Sequence, residues 1–132
     1  MTILKTYGRV WSDDMDSALA VLVELVEEPA HLRFAFGEVE IAAIGDFLVI
    51  AGSPEATARL PRASTTVVVS DLTAVEALLT ARGATLTHGP ERSLTGSYLY
   101  ARHADGAEVE YVQWKPELIT RILGRAGRPG SD

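Results

Sequence analysis

Apolar and polar positions along this chain change period twice in the same way. Val10-Trp11-Ser12-Asp13-Asp14-Met15 is a short strand-like run that ends in aspartate and passes into helical periodicity, and Val67-Val68-Val69-Ser70-Asp71-Leu72 repeats it. Beyond Asp14, Ala18, Val21, Leu22 and Leu25 recur at helical spacing; beyond Asp71, Val75, Leu78 and Leu79 take the matching offsets. Apolar residues at i, i+3, i+4 and i+7 form one stripe of a helix. Each set therefore predicts a buried stripe. Asp14 and Asp16 suit the start of the first helix, and Glu27-Glu28-Pro29 closes it. Thr73 with Glu76 three residues on reads as a capping box for the second, and Gly83 as its left-handed cap.

Strand-like runs follow each helix. In the first half they are Leu32–Phe36, Val39–Ile44 and Phe47–Ala51, broken by Gly37 and Gly45-Asp46. In the second they are Ala84–His88, Ser97–Arg102 and Glu108–Gln113, broken by Gly89-Pro90 and by Asp105-Gly106, a strong hairpin signal. The polar segment Ser53–Arg59 and Pro61 read as the connection between halves, and Thr95-Gly96-Ser97-Tyr98 as the loop entering the seventh strand. Each half thus reads strand, helix, strand, strand, strand, and the fold class is α+β. Pro116 can open a short helix through about Leu123, and Gly124–Asp132 reads as a flexible tail.

Composition narrows the chemistry. The chain has 132 residues, 47% apolar and 23% charged, which suits a single globular domain. It has no cysteine, so disulfides, thiolate metal sites and cysteine nucleophiles are excluded. No apolar run approaches the roughly 20 residues that span a bilayer, and Met1–Lys5 lacks a long apolar stretch, so no membrane partner and a cytoplasmic address are expected. A net charge of −6 argues against nucleic acid as a partner. There is no phosphate-binding glycine motif and no Ser-centred nucleophile elbow.

The paired βαβββ arrangement resembles the vicinal oxygen chelate superfamily, which includes glyoxalase I, extradiol dioxygenases, fosfomycin-resistance enzymes and bleomycin-resistance proteins. Arg9-Val-Trp-Ser-Asp-Asp14-Met-Asp-Ser-Ala18 is similar to that family's first strand and helix entry. Tyr100-Ala-Arg-His103-Ala-Asp105-Gly106-Ala-Glu-Val-Glu110-Tyr is similar to its last hairpin. The resemblance covers Thr6 to Trp114. It implies one glyoxalase-like domain over residues 1–115, with module one at about 3–52 and module two at about 63–115, forming a cupped mixed sheet around a cavity. It also implies a homodimer.

Enzymes of that superfamily hold a divalent metal through histidine or glutamine early on each module's first strand and glutamate on a late strand. Here the first-module position falls on Tyr7, seven residues before Asp14. The second falls on Ser64, seven before Asp71. The late-strand glutamate matches Glu110, while Phe47–Ala51 offers no carboxylate. One carboxylate is a poor hold on a divalent ion, so no metal and no other cofactor is expected. The resemblance then implies a metal-independent protein that binds a small molecule, as bleomycin-resistance proteins do. The alternative is a lyase, isomerase or dioxygenase with a displaced metal site or acid–base chemistry at Glu110.

Tyr7, Arg9 and Trp11 alternate on one strand face, opposite Gly8 and Val10. An arginine beside a tryptophan can clamp and stack a planar anion, or the pair can simply fill core and meet a nearby acid. Ser64, Thr66 and His88 complete the candidate ligand-binding set with Glu110. Glu110 is the candidate catalytic base or counter-charge, against the plainer role of a hydrogen-bonded strand carboxylate. His31 falls in a loop and His103 in the hairpin turn.

Overall fold

The computed structural model describes residues 1–124. Its elements are β1 (Ile3–Ser12), α1 (Met15–Val26), β2 (Leu32–Phe36), β3 (Val39–Ile44), β4 (Phe47–Ala51), α2 (Pro54–Ala58), β5 (Thr65–Val69), α3 (Leu72–Ala81), β6 (Thr85–Ser93), β7 (Gly96–Arg102), β8 (Glu108–Trp114) and α4 (Pro116–Leu123). The expected α+β class and doubled βαβββ order are both present. From Arg125 on, the tail expected to be flexible lies outside the described residues.

The sequence repeat is a repeat of backbone geometry. Asp14 is extended (φ −143°, ψ 109°) and its carboxylate accepts from the Asp16 N–H at 3.1 Å. Asp71 is extended (φ −151°, ψ 99°) and accepts from the Ala74 N–H at 3.1 Å. Each thereby satisfies a first-turn donor that the helix cannot satisfy itself. The capping box expected at Thr73 and Glu76 is not formed, because the helix starts earlier: Asp71 is its N-cap, and Thr73 already lies within the first turn.

Two compact units are present: Tyr7–Arg62, and Met1–Thr6 together with the chain from Ala63 on. In the first, the strand order is β2-β3-β4-β1. β1 runs parallel to β4, with Val10 opposite Val49, and β2, β3 and β4 form an antiparallel meander. α1 covers one face, where Met15 and Leu22 pack on Ala42, Ile44, Val49 and Ala51. The other face holds Val39, Ile50 and Ala56, with Trp11, Phe36, Ile41 and Leu60 against them.

In the second unit the order is β5-β8-β7-β6, with β5 parallel to β8. α3 covers one face through Leu72 and Val75, packed on Val67, Val69, Leu99 and Ala101. The Asp105-Gly106 turn forms as expected: Gly106 N–H donates to His103 O and Ala107 N–H to the Asp105 carboxylate.

Three expectations need correction. Val21, Leu25 and Leu78 are exposed (57%, 71% and 49%) rather than buried. The sequence Leu19–Val26 is apolar nearly all round, so two stripes satisfy the helical period, and the sheet takes the one through Met15, Ala18, Leu19, Leu22 and Val26. Ser53–Arg59 is no plain loop but contains α2. Ser53 accepts from the Ala56 N–H, and Pro54 sits where its missing N–H costs nothing. Gly89-Pro90 does not end its strand: β6 continues to Ser93 through register shifts, and the turn moves to Leu94-Thr95. A β-bulge accommodates residues that a regular ladder would reject.

Candidate functional site

In the first unit the pairing Arg9↔Leu48 and Trp11↔Ile50 puts Tyr7, Arg9 and Trp11 on the face away from α1. Tyr7 is fully buried. Its hydroxyl lies 2.7 Å from His31 Nε2, and the two rings stack with centroids 5.9 Å apart. Burial, and after it the Asp46 charge, push the Tyr7 phenol well above its ordinary range, so it stays protonated and neutral. Trp11 is half-buried against the Ile50–Ala56 cluster. The Arg9 guanidinium carbon is 5.1 Å from the Trp11 ring centroid, and that of Arg62 is 4.1 Å.

The second unit presents a different surface on its face away from α3. Thr66 pairs with Glu110, Glu110 with Tyr100, and Tyr100 with His88. These four residues form one row across β5, β8, β7 and β6, spanning roughly 14 Å at about 4.8 Å per strand. Thr66 is buried and its hydroxyl donates to Glu110 Oε1 at 2.7 Å. The Tyr100 ring meets the edge of His88 at 5.7 Å and of Tyr98 at 6.2 Å. Tyr98 donates to Glu91 at 2.9 Å. Burial first, then that hydrogen bond and the Glu91 and Glu110 charges, push its phenol up to about 12.

Three of the predicted residues, Thr66, Glu110 and His88, therefore meet in one row. Ser64 does not join them: it stands exposed ahead of β5, 3.3 Å from the Thr65 hydroxyl. Sequence reasoning passed over Tyr98, Tyr100, Glu91, His31 and Arg62 as site residues. Tyr100 had a signal, because it and Glu110 stand equally far from Asp105 at the hairpin turn and so must pair. His31 had none, since only the fold brings it to Tyr7.

The positions at which the fold family implies a metal carry few donors suited to one. Tyr7 carries a neutral phenol bonded to His31, Ser64 a lone exposed hydroxyl, and β4 no carboxylate, so the donor set does not fit a divalent ion. Among the described residues, no group of three or more His, Asp or Glu side chains is placed to hold one. Also among them, no helix is long and apolar enough to cross a membrane.

No protein-family model matches this chain, and no curated protein matches it either. Solved structures do. An uncharacterised protein from Methanosarcina mazei is 35% identical over 88% of this chain and 96% of its own, with a TM-score of 0.82. Methylmalonyl-CoA epimerase from Mycobacterium tuberculosis is 16% identical over 89% of this chain and 93% of its own, with a TM-score of 0.69. A Streptomyces coelicolor methylmalonyl-CoA epimerase variant in complex with 2-nitronate-propionyl-CoA is 12% identical over 86% of this chain and 98% of its own, with a TM-score of 0.67.

Proposed function

We propose that this chain, which belongs to one family with the Methanosarcina mazei protein and has the vicinal oxygen chelate fold, binds a small organic molecule without a metal. One observation carries the proposal: in each unit the side chain at a would-be donor position is engaged within its own unit, Tyr7 with His31 and Glu110 with Thr66. The Thr66–Glu110–Tyr100–His88 row supplies what such a binding face needs. It has flat apolar surface and a few fixed polar groups. The companion proposals are a homodimer and a cytoplasmic location.

Metal analysis of the purified protein tests this, with nickel, zinc, iron and manganese added separately. The expected result is well below one metal per chain and ligand uptake that survives chelation. Stoichiometric metal that is lost in Glu110→Ala would sink the proposal.

A second reading is an isomerase in which Glu110 removes a proton next to a carbonyl. It is favoured by the half-buried Glu110 carboxylate in its polar row and by neighbours that are epimerases, although fold alone does not transfer an activity. Glu110 would take the proton, and a protonated neighbour would return one to the other face of the same carbon, so nothing is oxidised or reduced. Deuterium exchange into methylmalonyl-CoA in heavy water decides it. Exchange lost in Glu110→Gln supports the isomerase, and no exchange in the native protein removes it.

A further inference from the structure

We infer that the second unit carries a binding site for a small organic dicarboxylate, on the face opposite the Thr66–Glu110–Tyr100–His88 row. Strand register builds its floor. Arg92 pairs with Ser97, and Ser97 with Gln113. Directly paired residues point to the same side of a sheet. The three side chains therefore form one row across β6, β7 and β8, spanning roughly 10 Å at about 4.8 Å per strand. The side is the one turned to α3, because Leu99 and Tyr111, two residues along the same strands, pack in the α3 cluster. That face thus passes from apolar to polar in one step of the alternation. The start of α3 sets the boundary. The helix begins at Leu72, whose N–H donates to Gln113 Oε1 at 2.7 Å, so it covers Leu99 and Tyr111 and leaves the next row open. β6 reaches that row only through its register shifts, which carry the strand past Pro90 to Ser93.

The open row lines a groove of about 460 Å3, a volume within the range of small-molecule sites. Thr73 and Glu76, three apart on α3, line it from the helix side. Lys115 joins from the link between β8 and α4. Arg92 and Lys115 are exposed, and among the described residues neither side chain has an ion-pair or hydrogen-bond partner. Against these two cations, Glu76 is the single acid of the lining. The groove therefore has a positive balance in a chain whose net charge is −6. Gln113 adds a neutral donor: its amide oxygen is taken by Leu72, which leaves its NH2 group for a ligand. The Ser97 hydroxyl adds another.

Arg92 and Lys115 issue from strands two apart, with these neutral donors between them. The arrangement calls for an acceptor at each end of the ligand. One carboxylate matches the guanidinium fork in its plane, and a second answers the point charge of the ammonium group. A monocarboxylate engages only one cation, and a compact phosphate cannot reach both without moving them.

The experiment uses the full chain in EDTA, with succinate and glutarate as probes. Butyrate serves as the monocarboxylate control and inorganic phosphate as the compact anion. Calorimetry measures binding, and thermal melts check that each variant folds. Saturable binding of at least one dicarboxylate is expected, roughly tenfold tighter than either control. Arg92→Gln and Lys115→Gln, both at exposed positions, should each weaken it roughly tenfold. Glu76→Gln removes the opposing charge and should tighten it. Glu110→Gln, on the other face, should leave it unchanged. The site is overturned by no dicarboxylate binding, by equal affinity for butyrate or phosphate, or by undiminished binding in Arg92→Gln or Lys115→Gln. A dicarboxylate that responds to Glu110→Gln and not to Glu76→Gln would also overturn it, because the ligand would then sit on the opposite face. None of these outcomes bears on whether the Glu110 row works without a metal.

Discussion

The two units share one topology and differ in what they place on it. Aligned on Asp14 and Asp71, Arg9 corresponds to Thr66 and Trp11 to Val68. Following the strand pairs, the row Arg9–Leu48–Ala43–Leu32 in the first unit answers Thr66–Glu110–Tyr100–His88 in the second. One row is aliphatic behind a single cation. The other has a polar or ionisable group at every position. The fold depends on the faces turned to α1 and α3, which are apolar in both units. The opposite face is left to diverge, and there the first unit became basic around an indole and the second acidic around two phenols.

The contrast is sharpest in backbone tolerance. A Cβ on Gly96 would lie 2.0 Å from Gln113 O, at φ +146°, against backbone that cannot yield. Gly96→Ala should cost about 3 kcal/mol or more. A Cβ on Gly45 meets only the Val26 side chain, at 2.8 Å and φ +56°, so Gly45→Ala should cost about 1–2 kcal/mol. Urea unfolding of both variants measures the difference, and equal losses would show that the second unit is not the tighter one at its hairpin.

Tyr7→Phe removes the hydroxyl from His31 and should cost about 1 kcal/mol. Its signature is alkaline. Because the folded phenol titrates higher than the unfolded one, near 10, the Tyr7 contribution is full below about pH 10 and falls as pH rises toward the folded value. Thermal melts from pH 8 to 11 should therefore decline less steeply in Tyr7→Phe. A slope identical to the native protein's would remove the buried phenol as the cause.

The smallest effects concern the caps. Asp71→Ala should cost about 1 kcal/mol, and Asp14→Ala should lower the melting temperature in the same direction. Asp14 adds an acid dependence. The Ser17 hydroxyl bond, foremost among its partners, holds its carboxyl below the ordinary value. Its contribution is present above the unfolded value near 3.9 and is lost as pH falls through the folded one. Melts at pH 2.5 and pH 6 should differ less in Asp14→Ala than in the native chain.

These differences also mark what the sequence could convey. Strand and helix order was legible because the period changes from 2 to 3.6 and back at Asp14 and Asp71. Alternation on β1 correctly put Arg9 and Trp11 opposite Val10. The helix stripe was ambiguous because α1 is apolar on too many sides. α2 was missed because five residues are too few for a period to show. Arg62 escaped notice because its approach to Trp11 depends on how the chain leaves α2, a turn that no local pattern specifies. The bulged register of β6, which sets His88 beside Tyr100, was hidden for the same reason.

Met1–Thr6 groups with the second unit, and Thr2 exchanges two hydrogen bonds with Ser70, 68 positions later. During synthesis the first unit, an uninterrupted stretch from Tyr7 to Arg62, emerges with all its own partners. The second must wait, because its opening residues leave the ribosome first and their partners much later. Domains made in order tend to fold in order, so the first unit should be in place while the second is still being made. A chain begun at Ala63 would lack a piece of its own unit, so no single cut parts the two units of the repeat.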